Sequence, residues 1–497
     1  MPYDTLKRIG DSIQEEYLGF DPTSNSTKPP HIANGLFRNC LGETCKTKDV
    51  HEWMICEGKK DSVPSEEIIE TYSQILERGQ LEKPTNIKEF RFLLNEIFDQ
   101  DNSVYPAYEF SVATISSHWF VRPRVNSEAR IGDFIFDILA KKIKGKQSPA
   151  IDLLRESLAN DTDDMTRLVK PIIAFPSEEE KREVFEVEYP EENEVRWDSC
   201  KETIRQGFDQ LSKNMILKEE NRNSLLVQQR MVNYAVFSSL LYLIHGNSAV
   251  FGGSRVPIVI DAGGDVESIK KASEQSFTAG KKAVEDYYIN AIRFLIDEDI
   301  SRDEESCCDK WIDDMVVTLS PKDPPTKEED EKKAIKSYFK SFRTEGDMPK
   351  DALSKALQIA LYTLRYKNNS PSDFCRVLGV RAGLIGPKGN RAKIKRYLIN
   401  SFTLETIILS VLSEDELRFG IELNSLSDKL VRMYNIIIGG DSDNEFNILE
   451  RANIAQSTPG NLRGELSLNA QQLANTLLSL GLGKRYADGV TMIGWGL

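Results

Sequence analysis

Histidine is scarce in this chain, with four in 497 residues. That leaves little material for a general-base or His-rich metal mechanism. The G-x4-G-K-[ST] phosphate loop, the G-x-S-x-G nucleophile elbow and the H-E-x-x-H zinc helix are all absent, which excludes the enzyme classes built on them. Cysteine is sparse too. Seven thiols, adjacent at Cys307 and Cys308 and without regular framework, fit a reducing cytoplasm rather than a disulfide scaffold. Long apolar runs are also missing. The longest, 232–244, contains Asn233 and two serines and is shorter than the roughly 20 residues of a bilayer span. It reads as a buried helix, and no membrane partner is expected. Asp4, Asp11, Glu15 and Glu16 interrupt the first 20 residues, which argues against a secretory signal.

What is present describes a folded protein, with 40% hydrophobic and 29% charged residues. The length suggests two to four domains. The net charge of −14 argues against a protein that coats nucleic acid with its whole surface. The charge is uneven, however. Residues 335–497 hold 21 Lys+Arg against 16 Asp+Glu, leaving −19 on the part before them. Polyanion contact is therefore expected in the C-terminal third.

Residues 255–286 organise the chain. Ile258 to Ile260 form an apolar run of the kind buried on both faces of a sheet. Asp261 ends it, Gly263 and Gly264 supply a turn, and Asp265 can cap the helix that follows. If the protein is an enzyme, Asp261 and Asp265 are its catalytic candidates: carboxylates that bind Mg²⁺ and orient a phosphate ester, with Lys270 and Lys271 neutralising charge. The alternative is structural, with Asp261 fixing a turn and Asp265 an N-cap.

Before this centre, residues 3–19 fit an amphipathic helix with Leu6, Ile9, Ile13 and Tyr17 on one face. Residues 20–30 read as a turn-rich linker. Cys40, Cys45, His51 and Cys56 offer a zinc ligand set, although C-x4-C-x10-C lacks a tight knuckle and free buried thiols are the alternative. Residues 65–140 look helical. Within them G-D-F-I-F-D-I-L-A-K-K (132–142) superficially resembles a nuclease carboxylate–lysine run but fits a helix capped near Asp133 better. Residues 184–189 alternate like a strand. Two helices fill 200–245, the second broken by His245-Gly246-Asn247. A long helix with Gly280 as its weak point follows the Gly-Gly turn.

Residues 320–333 form the clearest linker. Beyond it, Leu353, Leu357, Leu361 and Leu364 mark a helix. Ser370-Pro371 starts another, a Gly-rich break follows, and a second, basic helix is expected after Gly389. Arg376, Arg381, Lys388, Arg391, Lys393, Lys395 and Arg396 make this a phosphate-contacting helix-turn-helix pattern, or a solvated basic face. Asp441, Asp443 and Glu445 suggest oxygen ligands or a surface loop. Leu473, Leu477 and Leu480 form a helical stripe stopped at Gly481. A hairpin turning at Asp488-Gly489 is expected to present Lys484 and Arg485; helix followed by hairpin resembles the end of a winged helix, a shape used for DNA contact and equally for protein contact.

The blocks R-V-L-G-V-R-A-G (376–383), P-K-G-N-R (387–391), R-Y-L (396–398) and L-E (404–405), with the terminal L-G-L and Y-A-D-G-V, resemble the C-terminal parts of large accessory proteins from bacterial anti-phage defence gene clusters. The resemblance covers about the last quarter and includes no catalytic motif. It implies a subunit working beside nucleases, methyltransferases or ATPases. The combined expectation is a mostly α, multi-domain fold with one central α/β element and C-terminal helix-turn-helix or winged-helix-like modules. Its divisions fall at 1–145, 146–320, a linker at 321–334, and 335–497. The expected function is a non-enzymatic scaffold or nucleic-acid- and partner-binding subunit; the alternative is a metal-dependent phosphoester hydrolase at Asp261 and Asp265.

Overall fold

In the computed structural model, residues 5–23, 26–42, 70, 89, 124, 126–159, 197–217, 223–263, 265–315, 327–367, 369–388, 394–455, 461–487 and 489–495 are described. They are mostly helical, with small sheets between the helices. α1 (Thr5–Ser12) continues as a π-helical turn (Ile13–Leu18) and buries Leu6, Ile9, Ile13 and Tyr17, the face the spacing predicts. α2 (Pro29–Leu41) starts on two prolines, whose missing N–H groups cost nothing in a first turn. It crosses α3 (Ile131–Ala140) at a backbone-to-backbone contact: a Cβ on Gly132 would lie 2.3 Å from the Leu36 nitrogen. The nuclease-like run is thus a packing helix. Its Asp133 accepts from Asn39 Nδ2 at 2.6 Å and pairs with Arg124 at 3.0 Å.

α4 (Pro149–Ala159) and α5 (Ser199–Ile216) pack against α6 (Ser224–Phe251), a 28-residue helix whose Asn223 side chain accepts from two first-turn N–H groups. The expected break at Gly246 does not occur. A Cβ there would lie 3.2 Å from the Tyr287 ring, so Gly246 admits a close ring contact inside a continuous helix. β1 (Ile258–Val259) leads to α7 (Glu267–Asp299), 33 residues long. Its N-cap is Val266, without a side-chain cap, rather than the expected Asp265. Gly280 faces the Tyr397 hydroxyl, which would sit 2.9 Å from an added Cβ; it is a contact point rather than a weak one.

α8 (Glu305–Met315), α9 (Lys327–Thr344), α10 (Pro349–Ala360) and α11 (Pro371–Arg381) follow. α9 begins inside the stretch expected as a linker, so 327–333 are helical. β2 (Ile385–Gly386), β3 (Arg396–Tyr397), α12 (Ser401–Leu409), α13 (Glu414–Phe419) and β4 (Ile421–Glu422) come next. α14 (Leu423–Tyr434), β5 (Ile436–Ile437), α15 (Ser442–Arg451), α16 (Leu462–Ser479), β6 (Gly483–Arg485) and β7 (Thr491–Ile493) complete the described chain.

Where the basic helix is expected after Gly389, the described residues 394–400 are not helical, and Arg396–Tyr397 form the strand β3. Tyr397 pairs with Ile385 and with Ile260, and period-two burial places Lys395 and Tyr397 inside while Ile394 is exposed. β1 pairs in parallel with β5, so strand pairing joins residues on both sides of 321–334. Ile258 belongs to the main apolar core and Val259 to a smaller one with Ile269, Ile437, Leu449 and Leu466. That two-sided burial is what the uninterrupted apolar run predicts. Two α7 serines complete the strand's hydrogen bonding. Ser273 Oγ donates to Val259 O at 2.7 Å, and Ser276 Oγ accepts from Val259 N at 3.1 Å.

Candidate functional site

A cleft of about 890 Å³ opens where β1 ends, the side of a parallel pair on which α/β folds place ligands. Asp261 and Gly263 form one side and the β2–β3 hairpin, with Lys388 and Arg396, another. The first turn of α12 and the α6 side chains Gln229 and Asn233 complete the lining. Asp261 is buried, and Arg396 Nε donates to its Oδ2 at 2.6 Å. Asp265, the other proposed carboxylate, is exposed.

Asn469 holds the turn from behind. This buried α16 residue donates Nδ2 to Ile260 O at 2.8 Å and Ile438 O at 2.9 Å, and accepts from Ala262 N at 2.9 Å. It substitutes for ladder bonds just beyond β1 and β5.

Most described cations of the expected basic patch serve internal contacts. Arg381 donates to Thr27 O at 2.7 Å, and Arg376 pairs with Asp373 at 3.6 Å. Lys395 is buried and donates to Pro387 O; burial, then Arg376, pulls its pKa down. Arg396 is committed to Asp261, and Lys388 is exposed at the cleft. Arg391 and Lys393 lie outside the described residues.

A second basic surface lies at the C-terminal hairpin. β6 and β7 join β4 in a three-stranded antiparallel sheet of order β4-β7-β6. Lys484 and Arg485 are exposed on β6, and Arg485 Nη2 donates to Asn475 Oδ1 at 3.0 Å. α16 exposes Ser467, Gln471, Asn475 and Ser479 at four-residue spacing. Residues 466–487 contain no acid.

Cys40 is buried in α2, its thiol pushed up to about 12 by burial; Cys45, His51 and Cys56 lie outside the described residues, as does the 184–189 stretch. Among the described residues no three His, Cys, Asp or Glu side chains cluster as a metal site. The Asp441 loop has structural partners: Asp441 caps α15 and Asp443 pairs with Arg463. Glu445 is buried and accepts from Ser427 Oγ and Gly439 N. No described helix is long and apolar enough to cross a membrane.

Sequence reasoning missed Asn469, Gln229 and the Asp261–Arg396 pair. Asn469 had a readable signal, a carboxamide at a core position between Leu466 and Leu473 on the buried stripe. The ion pair had none, since 135 residues separate its partners. No protein-family model, curated protein or solved structure matches the chain.

Proposed function

We propose that the chain is a non-enzymatic subunit whose C-terminal winged-helix-like module binds duplex nucleic acid. The observation that carries this reading is that residues 466–487, which supply the exposed face of α16 beyond its first turn and the strand β6, contain no acid. The reading draws support from the strand order β4-β7-β6 packed beside α14 and α16, since a winged helix sets its recognition helix next to a β-wing. Serine and carboxamide side chains are suited to base edges, and Lys484 and Arg485 to phosphates. Membership of a bacterial defence assembly rests on the resemblance of the last quarter alone.

Fluorescence anisotropy with labelled duplexes at several salt concentrations tests the reading. Binding that weakens with salt is expected, and replacing Lys484 and Arg485 by alanine should lower the slope of log K against log salt by about two. Absence of binding at low salt, or an unchanged slope, points instead to a protein partner.

The hydrolase reading draws on the cleft beside Asp261 and requires Asp261 to exchange Arg396 for a metal ion. Mg²⁺- or Mn²⁺-dependent phosphoester cleavage that disappears in Asp261→Asn would favour it.

A further inference from the structure

The two faces of β6 differ in character. Arg485 turns towards α16, where its Nη2 donates to Asn475 Oδ1. Side chains alternate along a strand, so Lys484 and Tyr486 lie on the outer face. The Lys484 ammonium sits 5.3 Å from the centroid of the Tyr486 ring, in keeping with that placement. Tyr486 N donates to Val490 O at 2.9 Å, which sets these two residues opposite each other at the free end of the ribbon. β4 flanks the ribbon only as far as the Glu422–Met492 pair. Beyond it Tyr486 is 42% exposed and Val490 37%.

A protruding tip that leaves an aromatic ring and a branched aliphatic side chain in water suits a flat, apolar partner. The charges around it select which one. Lys484 and Arg485 immediately precede the ring, and residues 466–487 contain no acid. Glu422 lies at the base of the outer face, across from Met492; Asp488, between Ala487 and Gly489, lies outside the described residues. A ring beside a cation is the pairing that single-stranded nucleic acid engages, the ring stacking on a base while the cation meets the backbone phosphate. Within a paired duplex each base face is covered by its neighbour. A side chain therefore gains a base face where strands part, or by wedging a step open at a cost in unstacking.

We propose that the hairpin tip stacks on an unpaired base where a duplex opens into a single strand, with Tyr486 as the stacking ring, Val490 opposite it and Lys484 on the adjoining phosphate. The proposal rests on the duplex-binding reading above. It narrows the ligand of that surface to a duplex carrying a single-stranded extension.

Fluorescence anisotropy of the full chain with a blunt duplex, with the same duplex bearing a short unpaired tail on either strand, and with the tail alone tests this. At least one tailed duplex should bind about tenfold more tightly than the blunt one, the gain expected from stacking one base on an aromatic side chain. Tyr486→Ala should abolish that preference while leaving blunt-duplex affinity and its salt dependence as in wild type, which also shows that the module is folded. Tyr486→Phe keeps the ring and should keep the preference. Equal affinity for blunt and tailed duplexes, a preference that survives in Tyr486→Ala, or a preference lost equally in Tyr486→Phe overturns the proposal and leaves duplex binding in place. Absence of binding to every duplex at low salt overturns the duplex reading and this proposal with it.

Discussion

Arg396 on β3 donates its Nε to Asp261 Oδ2, 2.6 Å away at the end of β1. The side chain of Asp261 is 1% exposed and that of Arg396 13%, so the pair is largely shielded from water. It joins the acidic turn of the central α/β element to the hairpin that follows α11.

Removing one member leaves a charge buried without its partner. Asp261→Ala and Arg396→Ala should each cost about 3–5 kcal/mol of unfolding free energy. The double variant should cost much less than the sum, because the second change removes the stranded charge. Urea unfolding of the three variants measures the coupling. Additive losses would show that the pair contributes little beyond its separate side chains.

The local features were legible wherever one residue's neighbours in sequence decide its place. Ile258 and Val259 form a strand buried on both sides because no polar residue interrupts them. Ser370 caps α11, and Gly481, at φ +71°, follows the last turn of α16, both through local backbone chemistry. The basic run near Arg396 is not legible in this way, for the opposite reason. Seven cations close in sequence look like one surface, yet Arg381 reaches Thr27, Arg396 reaches Asp261 and Lys395 turns inward. Each of those choices is set by a tertiary contact, and composition does not encode it. Glycine was ambiguous in the same way: Gly246 and Gly280 lie within helices because rings from elsewhere approach them.

Asn469 should be among the least replaceable residues of the C-terminal third. Asn469→Ala strands Ile260 O, Ile438 O and Ala262 N, all of which it satisfies. With a net ~1 kcal/mol per hydrogen bond and a further penalty for buried groups left unpaired, a loss of about 2–4 kcal/mol is expected. Asn469→Asp should be at least as harmful, since a carboxylate would face two carbonyl oxygens. Equilibrium denaturation checks both. An aspartate variant as stable as wild type would mean that the amide donors are dispensable.

Glu445 gives a pH prediction. Burial pushes its carboxyl from the usual 4.5 up to about 7, against the lowering effect of Ser427 and of the backbone N–H groups around Gly439. The folded state therefore holds this proton more tightly than the unfolded chain. Its contribution is full below about pH 4.5 and is lost as pH rises to about 7, on the order of 3 kcal/mol at most. Glu445→Gln cannot titrate. The stability of wild type relative to this variant should fall between pH 5 and 8, read as a difference in melting temperature that cancels the other groups. A difference that stays flat would place the folded pKa near its ordinary value.

The α16 face separates two kinds of contact. Gln471 and Asn475 are uncharged and exposed one helical turn apart, whereas Lys484 and Arg485 are cations on the neighbouring strand. If α16 lies in a major groove, Gln471→Ala should reduce discrimination between duplex sequences by about 1–3 kcal/mol at the contacted position and leave the salt slope unchanged. Asn475→Ala should do more, because its Oδ1 also accepts from Arg485 Nη2 at 3.0 Å and holds that guanidinium in place. Some loss of salt dependence is therefore expected with Asn475→Ala and none with Gln471→Ala. Competition anisotropy with a panel of duplexes at two salt concentrations distinguishes them. Equal effects of both variants on affinity, with no change in sequence preference, would move the base-reading surface away from α16 and leave the hairpin as a phosphate contact alone.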